Sequence, residues 1–110
     1  MKTYVFDIDG TVCSSVNDGD YLKANPYVTR IKKINDLYEQ GANIIFHTAR
    51  GMGRHKNNAV KAEKEFYDLT VKQLDTWGIK YNSLFMGKPS GDIYIDDKGE
   101  KDEDFFNPKN

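Results

Sequence analysis

The sequence predicts an α/β fold in which a parallel β-sheet carries helices on both faces. Short runs rich in β-branched and aromatic residues alternate with longer stretches of helical periodicity, the pattern of strand–helix–strand units. Proline and glycine stand at the joints, at Pro26, Gly41, Gly51 and Gly78. The 110 residues, 38% hydrophobic and 13% aromatic, suffice for one real core and predict a single domain over 1–110.

The first strand is expected over residues 3–8, where Tyr4-Val5-Phe6 runs into Asp7-Ile8-Asp9-Gly10-Thr11. Residues 13–25 are polar, with Ser14, Ser15, Asn17, Asp18, Gly19 and Asp20, and read as a loop or short hairpin. Pro26 is expected to open a helix, where its missing N–H costs least. Val28, Ile31, Ile34, Leu37 and Tyr38 follow at helical spacing, and Gly41 closes the helix. Asn43-Ile44-Ile45-Phe46-His47 reads as the second strand.

A Gly51-Met52-Gly53 loop then leads to a long helix over about 57–77, with Phe66, Leu69, Leu74 and Trp77 as its apolar positions and Gly78 as its end. Ser83-Leu84-Phe85-Met86 and Asp92-Ile93-Tyr94-Ile95 read as third and fourth strands. The charged tail carries Phe105-Phe106, which can pack as a short turn. No repeat, low-complexity tract or linker marks a second domain.

Charge narrows the function classes. Sixteen basic against seventeen acidic residues give a net charge of -1, which offers no electrostatic footprint for nucleic acid or an anionic membrane. The lone Cys13 has no partner for an intrachain disulfide and suits a reducing compartment. The apolar stretch behind Lys2 ends at Asp7, too short for a signal-peptide core, and no segment reads as a membrane span. A cytoplasmic location is expected.

The chemistry gathers at the strand ends. In a parallel sheet the residues just past each strand share one edge, where open α/β sheets place their ligands. The first strand delivers Asp7 and Asp9, and the second Thr48, Ala49 and Arg50. The third is followed by Gly87-Lys88-Pro89, and the fourth by Asp96-Asp97. A carboxylate pair alone can bind a hard cation, attack an electrophile or move a proton. Asp7, Asp9 and either Asp96 or Asp97 suit magnesium, which prefers a few carboxylates plus water and substrate oxygens. Thr48 and Lys88 complement a phosphate, with one hydrogen-bond donor and one point charge. The set points to phosphoryl transfer.

In order and context, Asp7-x-Asp9-x-Thr11, Thr48 after an apolar strand, Lys88 and Asp96-Asp97 resemble the four motifs of the haloacid dehalogenase (HAD) superfamily. The resemblance covers nearly the whole chain. Within it, Asp20–Pro26, His47-Thr48-Ala49-Arg50-Gly51 and Met86-Gly87-Lys88-Pro89 are similar to small phosphatase-like proteins linked with capsular polysaccharide biosynthesis. A three-layer Rossmann-like sheet without a large cap domain is implied, because the 13–25 and 49–57 segments are too short to form one.

The resemblance implies a magnesium-dependent phosphomonoesterase acting on a small phosphorylated metabolite, such as a sugar phosphate. Asp7 becomes the nucleophile that forms an aspartyl-phosphate, and Asp9 the acid–base group. Magnesium falls to Asp7, the Asp9 backbone carbonyl and Asp96, with Asp97 acting through water. Thr48 and Lys88 hold phosphate oxygens together with backbone N–H groups of Ile8 and Asp9, and Ala49 and Arg50 join the substrate side. The aspartate at position 9 favours phosphate-ester hydrolysis over the superfamily's dehalogenase, phosphonatase and transport-ATPase chemistries. A capless site either admits large substrates or is covered by a second subunit of a homo-oligomer. The competing functions are a phosphate- or metal-binding regulatory module and a polynucleotide end phosphatase, which the near-neutral charge disfavours.

Plainer readings compete at several of these positions. Asp7-Ile8-Asp9-Gly10 is not an EF-hand, which needs glycine sixth and glutamate twelfth between helices. Gly87-Lys88 lacks the glycine and the Ser or Thr of a phosphate-binding P-loop. Arg50, Arg54 and His55 divide evenly between binding a second anionic group and forming a solvated basic loop. Asp18 and Asp20 read as turn residues, His47 as structural, Phe66 and Trp77 as core. Nothing marks Cys13 as a nucleophile.

Overall fold

The computed structural model describes residues 1–108. Three strands form one parallel sheet in the order β1-β2-β3: β1 is Thr3–Phe6, β2 is Asn43–His47 and β3 is Ser83–Phe85. Helix α1, Val28–Glu39, joins β1 to β2, and α2, Ala59–Thr76, joins β2 to β3. The short α3, Asp102–Phe106, ends the described chain. Strand–helix alternation thus gives a parallel α/β sheet with no inserted cap. The helices expected on both faces lie on one, because α1, α2 and α3 all pack on the face of Phe6, Ile44 and Phe46.

Register follows from burial. Tyr4 pairs with Ile44 and Phe6 with Phe46, so period-2 alternation turns these four side chains to one face. Phe6, Ile44 and Phe46 join Ile31 and Ile34 of α1 and Leu74 of α2 in the core. Phe105 and Phe106 of α3 close on Phe6 at 5.6 and 6.0 Å between ring centroids. Arg30 of α1 fixes α3 by an ion pair to Asp102 at 2.7 Å, and Lys33 donates to the Phe105 carbonyl. On the opposite face Val5 and Phe85 stay exposed. Among the described residues no helix is long and apolar enough to cross a membrane.

Several element boundaries differ from the sequence expectation, each for a local reason. β1 stops at Phe6 because the next residues turn back, with the N–H groups of Thr11 and Val12 both donating to the Ile8 carbonyl. Pro26 does not open α1. It forms a bridge to Cys13, while Tyr27 N–H donates to the Val12 carbonyl, so the helix starts only at Val28. The polar 13–25 segment is a loop with one 3₁₀ turn, Tyr21–Lys23. Helix α2 begins at Ala59 because Lys56 and Asn57 have φ of 54° and 63°, outside the helical region; Asn58 caps it by accepting from Lys61 N–H. Gly41 ends α1 as expected, with φ 95° and the paired bonds Gly41 N–H to Tyr38 and Ala42 N–H to Leu37.

The fourth strand does not form. Residues 91–100 are all exposed, with Ile93 and Ile95 at 78% and 91%. The Tyr94 hydroxyl donates to the Pro89 carbonyl and accepts from Gly91 N–H, which folds the segment on itself. The three apolar-leaning residues Ile93, Tyr94 and Ile95 between Asp92 and Asp96-Asp97 are too few to outweigh that local turn.

Candidate active site

The chain leaves β1 at Phe6 and delivers Asp7, whose carboxylate is partly open. Gly10, with φ 84°, then reverses the chain, and its N–H donates to the Cys13 carbonyl at 2.8 Å. This tight turn buries Ile8, Val12 and Cys13 completely and leaves Asp7 and Asp9 at the sheet edge. Beside them, Thr48 follows β2 with its N–H donating to the Phe85 carbonyl, and Lys88 N–H donates to the Thr48 carbonyl. The ends of β2 and β3 are therefore knitted together by backbone bonds. Asp7 and Lys88 meet there, Nζ to Oδ2 at 4.0 Å, and Lys88 Nζ also lies 4.5 Å from the Tyr94 ring centroid.

Electrostatics separate the groups. Burial pushes the Asp7 carboxyl above the usual carboxylate range, and the Lys88 ammonium pulls the other way. The backbone N–H of Ile8, next in the chain, also pulls it down. His47 is held below its ordinary value by burial and by Lys88. The Cys13 thiol is pushed up to about 12, first by burial and then by the Asp9 charge.

Asp9 has a separate environment. Arg50 Nε and Nη2 donate to its two carboxylate oxygens at 2.9 and 3.0 Å. Arg50 Nη1 reaches Thr70 Oγ1 on α2, its guanidinium lies 4.7 Å from the Tyr21 ring centroid, and its side chain is 0% exposed. The Arg50 side chain is thus committed to Asp9 and α2 and not to the substrate side, where the resemblance puts it. Its own N–H donates to Thr48 Oγ1, and Thr48 is fully buried.

Gly51 permits this packing. At φ 78°, a Cβ there would sit 2.5 Å from Phe66 Cδ2 of α2. Gly51 N–H donates to the Tyr21 hydroxyl, and Gln73 Nε2 donates to the Tyr21 carbonyl, so the 3₁₀ turn is pinned over Arg50.

Tyr21, Thr70 and Gln73 were not singled out in the sequence. A signal existed for two of them: Thr70 and Gln73 fall on the buried stripe of α2 shared by Phe66 and Leu74, where a polar residue needs a partner. Arg54 and His55 both bind Glu65, at 2.8 and 2.6 Å. Asp18 accepts from Asp20 N–H and pairs with Lys23, as a turn residue does. An open cleft of about 630 Å³ lies between the 16–21 and 49–54 loops, lined among others by Asn17, Asp18, Tyr21, Ala49, Arg54 and Phe66.

The donor types suit magnesium, but the placement does not. Arg50 takes both Asp9 carboxylate oxygens, although the atom expected on the metal there is the backbone carbonyl, and Asp96 and Asp97 lie on the exposed 91–100 segment. Asp96 accepts from Lys98 and Gly99 N–H groups in its own turn. Among the described residues no three His, Cys, Asp or Glu side chains come together as a metal-holding group.

No family model and no curated protein sequence matches the chain. Among solved structures it is similar to a target protein from Vibrio cholerae, with a TM-score of 0.89 at 26% identity over 99% of this chain and 90% of that one. It is also similar to D,D-heptose 1.7-bisphosphate phosphatase from B. bronchiseptica, solved with magnesium and phosphate. That match has a TM-score of 0.56 at 19% identity, over 84% of this chain and 52% of the phosphatase, so the chain spans about half its length. The second likeness is one of fold alone, a parallel α/β arrangement.

Proposed function

We propose that the chain is a phosphomonoesterase of the HAD type, working through an aspartyl-phosphate on Asp7. The observation that carries this reading is the pairing of a partly open Asp7 carboxylate with the Lys88 ammonium at 4.0 Å, beside an Asp9 held by its own cation. A lone carboxylate repels a phosphate dianion; a neighbouring ammonium offsets that repulsion and gives a non-bridging oxygen a partner. In the first half-reaction an Asp7 oxygen bonds to phosphorus as the ester phosphorus–oxygen bond breaks, and Asp9 gives its proton to the departing oxygen. In the second, water oxygen bonds to phosphorus, its proton passes to Asp9, and the bond from phosphorus to Asp7 breaks. Backbone N–H groups of the 7–9 turn, the Ala49 end of β2 and Thr48 belong to the phosphate side in this reading.

The substrate we propose is a small phosphorylated metabolite of the sugar-phosphate class, of a size the cleft beside Ala49 accommodates. Arg54 is neutralised by Glu65 and Arg50 by Asp9, so the cleft favours a polar, uncharged leaving group over a second phosphate. Magnesium dependence is part of the proposal on donor chemistry and on the phosphatase of similar fold. When bound, the ion neutralises phosphate charge. Asp96 could join Asp7 only if the 91–97 segment leaves its present turn, so no step is assigned to the ion. A site in the cytoplasm, a single-domain chain and a covering second subunit belong to the same proposal.

Release of inorganic phosphate from a panel of aryl and sugar phosphates, with magnesium and with a chelator, tests it. Folded protein inert to the whole panel contradicts it. The exposed position of Asp96 and Asp97 favours one second reading, a module that binds phosphate without turnover. Binding of phosphate without hydrolysis of any ester is its signature.

A further inference from the structure

We propose that Arg50 is a positioning residue, which holds the Asp9 carboxylate in the orientation needed to pass a proton to and from the ester oxygen. The inference rests on the phosphatase reading above. Its basis is the way the guanidinium is built in. Arg50 is fully buried at the end of β2, yet reaches across to the end of β1 and grips both Asp9 oxygens. Thr70 on α2 takes its third nitrogen and the Tyr21 ring covers its face, so the fork has one available pose. A planar two-pronged donor fixes the plane and tilt of a carboxylate, which an ammonium does not.

Each carboxylate oxygen offers two lone-pair sites, so a bidentate fork leaves each with one facing away from Arg50; the Cys13 thiol lies 3.6 Å from Oδ1, which leaves Oδ2 with the unclaimed one. The Asp9 side chain keeps 21% of its surface, so the free side is open to the site. An arginine meant for substrate would keep its nitrogens open; this one spends every nitrogen within the protein. Mispointing the Asp9 carboxylate then impairs proton transfer while leaving Asp7 and Lys88 in place.

The test compares two esters in Arg50→Lys and Arg50→Gln: p-nitrophenyl phosphate, whose phenolate leaves without much protonation, and glycerol phosphate, whose alkoxide does not. General acid–base help is typically worth about 10²–10⁴ in rate. The expected result is a loss in kcat on glycerol phosphate at least about tenfold larger than on p-nitrophenyl phosphate, with KM nearly unchanged and Lys milder than Gln. Thr70→Val loosens the fork without removing its charge and should show the same ordering in smaller measure, which keeps the test usable if the Arg50 variants unfold. Equal losses on both esters in folded variants, or no loss, overturn the inference and leave the phosphatase reading standing. A folded wild-type chain inert to both esters removes the two together.

Discussion

Arg50 and Asp9 stand 41 residues apart in the chain, yet their side chains meet in a two-bond ion pair at 2.9 and 3.0 Å. The pair joins the ends of β1 and β2 and draws in α2 through Thr70. Removing one partner of such a pair strands the other. Asp9→Ala leaves a buried guanidinium without its counter-charge and should cost about 3 kcal/mol of stability, near the low end for buried pairs because Asp9 is partly open. Urea unfolding checks it, and Asp9→Ala combined with Arg50→Met should recover part of the loss. A cost below about 0.5 kcal/mol for Asp9→Ala would mean that solvent screens the pair.

His47 sets a pH dependence. Burial and Lys88 hold its imidazole below the ordinary value, so the folded state resists a proton that the unfolded chain accepts. Between the folded and unfolded values the unfolded state binds more protons, and stability therefore rises with pH. Wild type should lose stability as pH falls below about 6.5, the ordinary histidine value, toward the lower folded value, and His47→Gln should lack that part of the slope. Identical slopes in the two proteins contradict the assignment.

Cys13 should be inert. Its thiol is buried and pushed up to about 12, so almost no thiolate exists near neutrality. A chromogenic disulfide reagent should label it only at the rate at which the protein unfolds, and rapidly in denaturant. Fast labelling of native protein would show that the 9–13 turn opens on its own.

Magnesium should act on the 91–97 segment. Among the described residues β1 pairs only with β2, so its other edge is open, while Ile93 and Ile95 are exposed nearby in sequence to Asp96. If Asp96 is a ligand alongside Asp7, magnesium must draw this segment in. Amide exchange over residues 92–97 should then slow on magnesium addition, and Asp96→Asn should abolish the effect. Unchanged exchange at saturating metal argues that Asp96 and Asp97 are not ligands.

Much of the fold was legible because its signals are local and periodic. Ile44 and Phe46 alternate as a half-buried strand must, Ile31 and Ile34 recur at helical spacing, and Gly41 and Gly78 carry the positive φ that ends each helix. The misread places depend on contacts made across the chain or within a turn. Pro26 looked like a helix opener until its bridge to Cys13 took precedence. Ile93-Tyr94-Ile95 has strand composition, but Tyr94 satisfies its hydroxyl within its own turn. At the site, the sequence brought Asp7, Asp9, Thr48 and Lys88 to one edge, because parallel strands share a direction. It did not reveal the partner of Arg50, since nothing in a linear pattern says whether a loop arginine faces solvent or a carboxylate.

The central claim is that Asp7 carries phosphate covalently during turnover. Quenching the reaction with borohydride reduces an aspartyl-phosphate to homoserine, which peptide mass spectrometry can place. The account predicts homoserine at position 7, formed only with substrate and absent in Asp7→Asn. Phosphate ester consumed with residue 7 unmodified, or homoserine at position 9 instead, would contradict it.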